Sequence, residues 1–205
     1  SLNFGTNPAS YFSVTQSDLP IFIIETNGQT IPDEPKITAD LKVIWNSDGS
    51  RNYLSQTDFH YNGFCGIETR GASSANMAKK SYSLELRDVN GFDIDSALCG
   101  FPEESDWVLS AQYADKSLIR NMFSMHLIQE MGWYAPRCRP VELILDGEYK
   151  GVYILLEKVK RGNDRIDVPK LLPTEISGDD LTGGYILKLD KNSGNSYPGF
   201  NSQYL

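Results

Sequence analysis

The stretch Val141-Glu-Leu-Ile-Leu-Asp-Gly-Glu-Tyr-Lys-Gly-Val-Tyr-Ile-Leu-Leu156 decides the fold class. Two apolar runs, residues 141–145 and 149–156, flank the dipeptide Asp146-Gly147. Asp-Gly between two such runs is typical of the two-residue turn of a β-hairpin. The stretch therefore predicts two antiparallel strands.

Two further segments show the alternation of half-buried strands, in which every second residue is apolar. This spacing places the apolar side chains of each segment on one face. We expect both strands to join the hairpin in a mostly antiparallel sheet. The apolar positions are Ile37, Ala39, Leu41, Val43 and Trp45 in the first segment and Tyr82, Leu84 and Leu86 in the second.

Residues 117–131 have helical spacing instead. Asp115 and Ser117 are candidate caps before the segment, and Gly132 is a candidate stop after it. Because strands lie on both sides of this one main helix, the sequence predicts an α+β fold in which the helix covers one face of the sheet. The apolar positions are Leu118, Ile119, Met122, Phe123, Met125, Leu127 and Met131.

Composition and charge exclude several classes of function. With 205 residues, 40% of them hydrophobic, the chain can bury one full core or two modest lobes. Its net charge of −8 argues against a nucleic-acid partner, because phosphate-backbone binding needs clustered Lys and Arg. The longest apolar runs fall far short of the ~20 residues of a transmembrane helix, so we expect no membrane span.

Cysteine and histidine residues give no catalytic or metal motif. Cys65, Cys99 and Cys138 lie too far apart for a zinc ribbon or a C-x-x-C pair, so buried thiols and one disulfide both remain open. His60 and His126 have no His or Cys neighbour at metal-ligand spacing. The motifs of serine hydrolases, zinc proteases and P-loop NTPases are absent.

A small-residue loop, Arg70-Gly-Ala-Ser73-Ser74, precedes the lysine pair Lys79-Lys80. Backbone N–H groups of such a loop can approach a polyphosphate, and a lysine on the returning strand can supply a positive charge. The loop and lysines therefore predict a nucleotide-phosphate site. The alternative is an ordinary hairpin with flanking lysines.

Strand alternation selects one of the two lysines. Lys80 has the parity of Tyr82, Leu84 and Leu86, whereas Lys79 has that of the polar residues between them. We therefore expect Lys80 to point toward the covered side of the sheet, where it needs an anionic partner.

Acidic residues late in the chain are candidates for phosphoryl transfer. Glu157 follows one predicted strand, Asp164 and Asp167 lie in the next loop, and Asp190 ends a later strand. Phosphoryl transfer requires one carboxylate to orient the acceptor hydroxyl and another to hold magnesium. Solvated loop positions are the alternative for each of them.

Arg120 begins the second turn of the predicted helix, beside Asn121. It could bind a phosphate or carboxylate as a bidentate fork. Alternatively, it is a buried arginine that ties the helix to the loop around Asp106.

Six stretches in this order resemble the CotH (spore coat protein H) kinase-like family and cover roughly residues 19–191. Each is short, but all six occur in register. They are Asp33-Glu-Pro-Lys-Ile37, Arg70-Gly-Ala-Ser-Ser74 with Lys79-Lys-Ser-Tyr82, Ser105-Asp-Trp-Val-Leu109, Asp115-Lys-Ser-Leu-Ile-Arg-Asn121, Asp146-Gly-Glu-Tyr-Lys-Gly-Val-Tyr153 with Glu157-Lys158, and Gly183-Gly-Tyr-Ile-Leu-Lys-Leu-Asp190.

The resemblance implies an atypical protein-kinase-like fold. It also implies binding of ATP with Mg²⁺, or with Mn²⁺ in its place, and phosphorylation of serine on secreted or surface proteins. An extracytoplasmic, monomeric protein is the corresponding expectation. By the same resemblance, Lys80 matches the nucleotide lysine and Asp190 the metal ligand.

Two departures from the family pattern leave activity open. Where spore-type members carry an Asp three residues after Glu157, this chain has Lys160, so Asp167, or else Asp164, is the candidate catalytic carboxylate. Residues 191–205 are the only ones after Asp190, so we expect a C-terminal helical lobe to be lacking. A catalytically inactive adhesin or scaffold domain is the alternative function.

The expected organisation has three parts. Residues 1–18 form an irregular N-terminal segment, residues 19–191 the kinase-like domain, and residues 192–205 a polar tail or truncated continuation.

Overall fold

The computed structural model of the protein describes residues 14–72, 74–182 and 184–187. The chain divides into two compact units, residues 1–159 and 160–205. The described part of the first unit contains nine strands and one α-helix. Their bounds are β1 Gln16–Ser17, β2 Ile21–Glu25, β3 Ile37–Ile44, β4 Asn52–Tyr53, β5 Tyr61–Arg70, β6 Ser81–Arg87, β7 Asp106–Ser110, α1 Arg120–Glu130, β8 Cys138–Leu145 and β9 Glu148–Glu157.

Seven strands close into a barrel in the order β2-β3-β5-β6-β7-β9-β8. Neighbouring strands pair antiparallel, except that β8 and β2 pair in parallel and close the barrel. The short strands β1 and β4 form a separate two-stranded ladder. The predicted strands around Leu41 and Leu84 and the hairpin around Asp146 are confirmed as β3, β6 and β8–β9.

Alternate side chains of the strands fill the barrel, because successive residues of a strand point to opposite faces. Each fully buried Leu, Ile or Val contributes about 1.5–3 kcal/mol relative to its exposed state. A smaller cluster around Ile21, Ile44 and Ile144 packs separately from this core. The barrel interior includes Phe22, Ile24, Leu41, Val43, Ile67, Leu84, Leu86, Trp107, Leu109, Val141, Leu143, Tyr153 and Leu155.

The predicted kinase-like α+β fold, an open sheet covered by a helix, is wrong. The barrel encloses its own core, so no helix is needed to cover a sheet face. Alternation within each strand predicted which side chains are buried, but the pairing of β2 with β8 joins distant parts of the chain. Local periodicity carries no information about such pairing.

Helix α1 has the predicted position but not the predicted packing. None of its residues is buried, and Phe123 is 64% exposed. The prediction that this segment buries Leu118, Ile119, Met122 and Met125 against the sheet is therefore wrong. Helical spacing shows that one face of a helix is apolar, but not which element covers that face.

The predicted stop at Gly132 is confirmed, but the predicted start is wrong, because the helix begins at Arg120 with Ile119 at its N-cap rather than Asp115 or Ser117. Asp115 nevertheless contacts the helix start. The Asp115 carboxylate accepts hydrogen bonds from the Arg120 N–H at 2.9 Å and the Ser117 N–H at 3.0 Å. Gly132 follows the helix at φ +80°, a left-handed conformation in which glycine is favoured. None of the helices in the described ranges is long and apolar enough to cross a membrane.

The β8–β9 hairpin turns at Asp146 and Gly147, both at positive φ (50° and 71°), as a type I′ turn requires. Asp146 also fastens the hairpin to the end of β2. Its carboxylate accepts hydrogen bonds from the Thr26 N–H at 2.7 Å and the Thr26 hydroxyl at 3.0 Å. Thr26 is 1% exposed, so these bonds replace water that cannot reach it.

The connection between β6 and β7 closes one end of the barrel. Residues 94–101, called the plug below, place Leu98, Cys99 and Phe101 in the core cluster. The Leu98 carbonyl accepts a hydrogen bond from the Phe101 N–H at 3.0 Å, which makes a tight turn at Cys99-Gly100. Both turn residues have positive φ.

The three cysteines are free thiols. Cys65 and Cys99 are buried, and Cys138 is half-buried. Of the two alternatives that the sequence left open, the structure shows thiols.

The described part of the second unit has little regular structure. Arg161 and Ile166 form an isolated β-bridge, and residues Asp179–Thr182 form a 3-10 turn. Gly184, at φ +85°, lies so close to Pro169 that a Cβ atom there would be 2.8 Å from the Pro169 carbonyl oxygen.

Asp146→Ala is expected to lower the free energy of unfolding by about 2 kcal/mol, because it leaves two buried donors of Thr26 without an acceptor. Asp146→Asn should cost much less, since the amide oxygen still accepts and Asn tolerates positive φ. Urea denaturation of the two variants and the wild type measures the difference. An equal loss of unfolding free energy in both variants would show that the hydrogen bonds from Thr26 to Asp146 contribute nothing to stability.

Candidate functional site

The loop between β5 and β6 is tightly folded around Gly71. Gly71 has φ +103°, and a Cβ atom there would lie 2.0 Å from the Ser74 hydroxyl oxygen. A 3-10 turn, Ser74–Asn76, follows, and the Ser74 carbonyl accepts a hydrogen bond from the Met77 N–H at 3.1 Å. Any side chain at residue 71 would clash with the Ser74 hydroxyl, so glycine is required for this loop conformation.

Lys79 is the lysine that turns toward the barrel. Its ammonium donates a hydrogen bond to the Val152 carbonyl and lies 4.3 Å from the centroid of the Tyr153 ring. Lys80 is exposed. The parity argument that chose Lys80 is wrong because β6 begins only at Ser81, and residues 77–79 bend, so strand alternation does not extend back to the lysines.

Partial burial lowers the pKa of Lys79, and the negative charge of Glu142 opposes that shift. Removing an ammonium from water without a carboxylate within ion-pair distance is costly. The hydrogen bond to Val152 and the ring of Tyr153 offset part of that cost. An anionic ligand beside Lys79 would therefore gain more here than at a solvated lysine.

A cavity of about 310 Å³ opens beside Lys79. It lies where the start of β6, the end of β7 and the start of α1 meet. Its polar lining includes two cations, Lys79 and Arg120, and three serines, Ser74, Ser81 and Ser110. The structure thus brings together three of the predicted nucleotide-binding residues, Ser74, Lys79 and Arg120.

Two amide side chains connect the cavity wall. The Asn121 amide donates to the Gln112 side-chain oxygen at 2.9 Å, and the Gln112 amide donates to the Ser110 hydroxyl at 2.9 Å. Gln112 and Leu118 both have positive φ, 49° and 62°. For residues other than glycine this conformation costs about 1–2 kcal/mol, and such residues cluster at functional sites.

Asp115 is the acidic side chain in the described lining of this cavity. The Ser117 hydroxyl and the Arg120 N–H donate hydrogen bonds to it and lower its pKa, the Ser117 contribution being larger. Its carboxylate therefore serves the helix start. The Arg120 guanidinium lies 3.6 Å from it and is 79% exposed, so the guanidinium can turn to another anion.

Glu157 lies in a different cavity. That cavity, of about 320 Å³, is lined by Arg137, Trp133, Tyr134 and Glu157, among others. The Glu157 side chain is 1% exposed and forms an ion pair with Arg137 at 2.6 Å. Val152, beside Lys79, and Glu157 are five residues apart in β9, about 17 Å at the rise of an extended strand. The structure does not bring Glu157 to Lys79.

The other predicted site residues have varied positions. Arg70 ends β5, where it is exposed and pairs in register with Ser81. Asp164 and Asp167 are exposed in the second unit. Ser73 and Asp190 lie outside the described residues. Within the described ranges, no three His, Cys, Asp or Glu side chains are grouped to hold a metal ion.

Sequence reasoning missed Ser81 and Gln112 in the cavity wall. Ser81 directly follows the lysine pair, so its position beside a phosphate site could have been inferred. Gln112 gave no sequence signal, because its role depends on an unusual backbone angle and on a contact with Asn121.

Comparison with known proteins gives matches over most of the chain. A family model described as CotH kinase protein matches residues 67–204. Inner spore coat protein H of Bacillus subtilis (strain 168) is 28% identical over 145 residues, which cover 70% of this chain and 35% of that protein. The chain thus spans about a third of the length of this relative. The match to the family model includes the loop at Gly71, Lys79 and helix α1.

Arg120→Ala is expected to change the free energy of unfolding by less than about 0.5 kcal/mol, because the side chain is exposed. The predicted buried contact of Arg120 is wrong. Arg137→Ala is the matched comparison and should cost about 3 kcal/mol, since it removes a partner of the buried Glu157 charge. Guanidinium denaturation measures both. A large loss for Arg120→Ala would show that this arginine is structural.

Proposed function

Because the chain belongs to the CotH kinase protein family, we propose that the cavity beside Lys79 holds the phosphates of ATP. The observation that carries the proposal is the half-buried Lys79 ammonium in a cavity shared with Arg120 and Ser74. The protein that contains this chain would then be an atypical protein kinase.

The polar groups of the cavity suit a polyphosphate. Lys79 supplies a fixed charge, and Arg120 supplies a planar fork that can bind two phosphate oxygens. The hydroxyls of Ser74 and Ser81 add neutral donors. The whole chain has a net charge of −8, whereas the described lining of this cavity has two cationic side chains and one carboxylate. The positive charge at the cavity is therefore a local feature.

Partial exclusion of water strengthens these interactions. Two unit charges 4 Å apart interact by about 4 kcal/mol at an effective dielectric constant of 20, four times more than in bulk water. Lys79 is held in place by Val152 and Tyr153, so its charge is oriented before a ligand arrives. Little reorganisation is then needed on binding.

When bound, ATP supplies the phosphoryl group, and Mg²⁺ or Mn²⁺ balances the phosphate charge. The described residues fit the phosphates. Asp190 is proposed as metal ligand, and Asp167, or else Asp164, is proposed to accept the proton of the serine hydroxyl. The role of Asp190 rests on the family pattern, whereas Asp167 or Asp164 is proposed to replace the Asp for which this chain has Lys160.

The acceptor class follows from the relative. Because that relative is named an inner spore coat protein, we propose serine residues of exported coat or surface proteins as acceptors, and an extracytoplasmic location for this protein.

Lys160 favours a second function, an adhesin or scaffold domain that binds a nucleotide without transferring phosphate. It stands three residues after Glu157, where spore-type members carry an Asp. A lysine cannot accept the proton of a serine hydroxyl while it is charged. Binding without phosphate transfer would support this second function.

Lys79→Met is expected to weaken Mg-ATP binding by about 10- to 100-fold, the effect of losing a charged hydrogen bond. Lys80→Met is the matched control and should bind as the wild type does, because Lys80 is exposed. Calorimetry with Mg-ATP and with inorganic tripolyphosphate measures both variants, and thermal melting checks that they are folded. If only Lys80→Met weakens binding, the site lies elsewhere.

Incorporation of radioactive phosphate from ATP tests transfer separately. Asp167→Asn should abolish incorporation while leaving Mg-ATP affinity within about twofold, since that carboxylate is proposed to act on the acceptor. Asp164→Asn is the control and should retain transfer. Wild type that binds Mg-ATP but incorporates no phosphate would support the scaffold function.

A further inference from the structure

His60 joins the barrel wall to the plug, residues 94–101. Its Nε2 accepts a hydrogen bond from the Cys99 N–H at 3.0 Å. The imidazole also donates a hydrogen bond to the Ala97 carbonyl. Because Nε2 is the acceptor, the proton lies on Nδ1. The neutral ring thus holds the plug backbone through Nε2.

The neighbours of His60 disfavour a positive charge. Trp45 contacts the imidazole edge-to-face, with ring centroids 4.8 Å apart. The Arg139 guanidinium lies 5.6 Å from the same Trp45 ring and brings a positive charge near the plug. The Cys99 thiol is neutral, because burial raises its pKa to about 12. No carboxylate acts on the His60 pKa within the described part of the chain.

Two features of the closed plug favour its opening once the hydrogen bond to the imidazole is lost. Cys99 has φ 52°, which costs about 1–2 kcal/mol for a residue other than glycine. Phe101 follows the turn at Cys99-Gly100, and its ring centroid lies 5.7 Å from the Arg139 guanidinium. The Arg139 Nε is buried without a hydrogen-bond partner in the described structure. Opening the plug would hydrate this nitrogen and relax Cys99.

We propose that His60 is a proton-sensitive latch, which holds the plug in the barrel end when the imidazole is neutral and releases it when the imidazole is protonated. An imidazolium has no acceptor nitrogen, so the Cys99 N–H would face another donor. A buried N–H that loses its acceptor costs about 1–3 kcal/mol. The latch is therefore complete only while His60 is neutral.

The direction of the pH dependence follows from burial, which lowers the pKa of His60 in the closed state, while the Ala97 hydrogen bond opposes the shift. The open state has the ordinary value of about 6.5 and binds more protons at acid pH. The closed plug is thus fully stable above pH 6.5. Opening increases by up to about tenfold for each pH unit below that value, until the lowered pKa is reached.

Reactivity of Cys99 with a thiol reagent measures opening, since this thiol is 0% exposed in the closed state. Full-length wild type and His60→Gln are labelled between pH 8 and pH 5, and mass spectrometry locates the label. Glutamine can accept from Cys99 and donate to Ala97 at every pH. At each pH, the labelling rate of the wild type is divided by that of His60→Gln. This ratio cancels the change in reactivity that comes from deprotonation of the thiol itself.

The ratio of the wild-type rate to the His60→Gln rate at Cys99 is expected to be constant from pH 8 to about 7 and to rise as the pH falls from 6.5 to 5, by at most about tenfold for each pH unit. Cys65, in the barrel core, should show no such rise, which separates plug opening from global unfolding. A flat ratio, or a parallel rise at Cys65, would overturn the proposal. If His60→Gln does not fold, hydrogen exchange of the wild type decides, since the Cys99 amide should lose protection at acid pH while the Cys65 amide keeps it.

Discussion

The fold depends on the parallel pairing of β2 with β8, because this pair converts a row of strands into a closed barrel. Residues Ile21–Ile24 pair in register with Glu142–Leu145. The two segments are far apart in sequence, but the entropic cost of closing a longer loop grows only logarithmically with its length. Burial of both strands against the common core offsets that cost. Closure also removes the exposed strand edges that favour aggregation.

Once the barrel is closed, its rim fixes the positions of the polar groups that matter for chemistry. Lys79 precedes β6 and the plug follows it, so the candidate phosphate site and the His60 contact lie beyond opposite ends of one strand. Lys79 and His60, at these two ends, are both half-buried. Charges in such positions interact more strongly than solvated ones, and their protonation responds to what lies beside them. The barrel thus positions Lys79 beyond one end of β6 and the His60 contact beyond the other.

The chemistry of the candidate site could be predicted from sequence better than its geometry. The small residues around Gly71, the adjacent lysine pair and the Arg120-Asn121 pair have the composition of a phosphate site, and the structure places Ser74, Lys79 and Arg120 around one cavity. The choice between Lys79 and Lys80 could not be made from alternation, because the backbone bends before β6 starts. The grouping of Glu157 with these residues was also wrong, since distance along β9 separates it from Lys79.

The sequence by itself determined strands β3, β6, β8 and β9, the Asp146-Gly147 turn, the end of helix α1 at Gly132 and membership of the CotH family. These features depend on residues close together in the chain, through side-chain alternation, backbone preferences at turns and caps, and short motifs. Tertiary structure alone decided that the strands close into a barrel, that no apolar residue of α1 is buried, and that Lys79 rather than Lys80 faces the cavity. The physical reason is that strand pairing, helix packing and side-chain burial depend on contacts between distant segments, which no local pattern specifies.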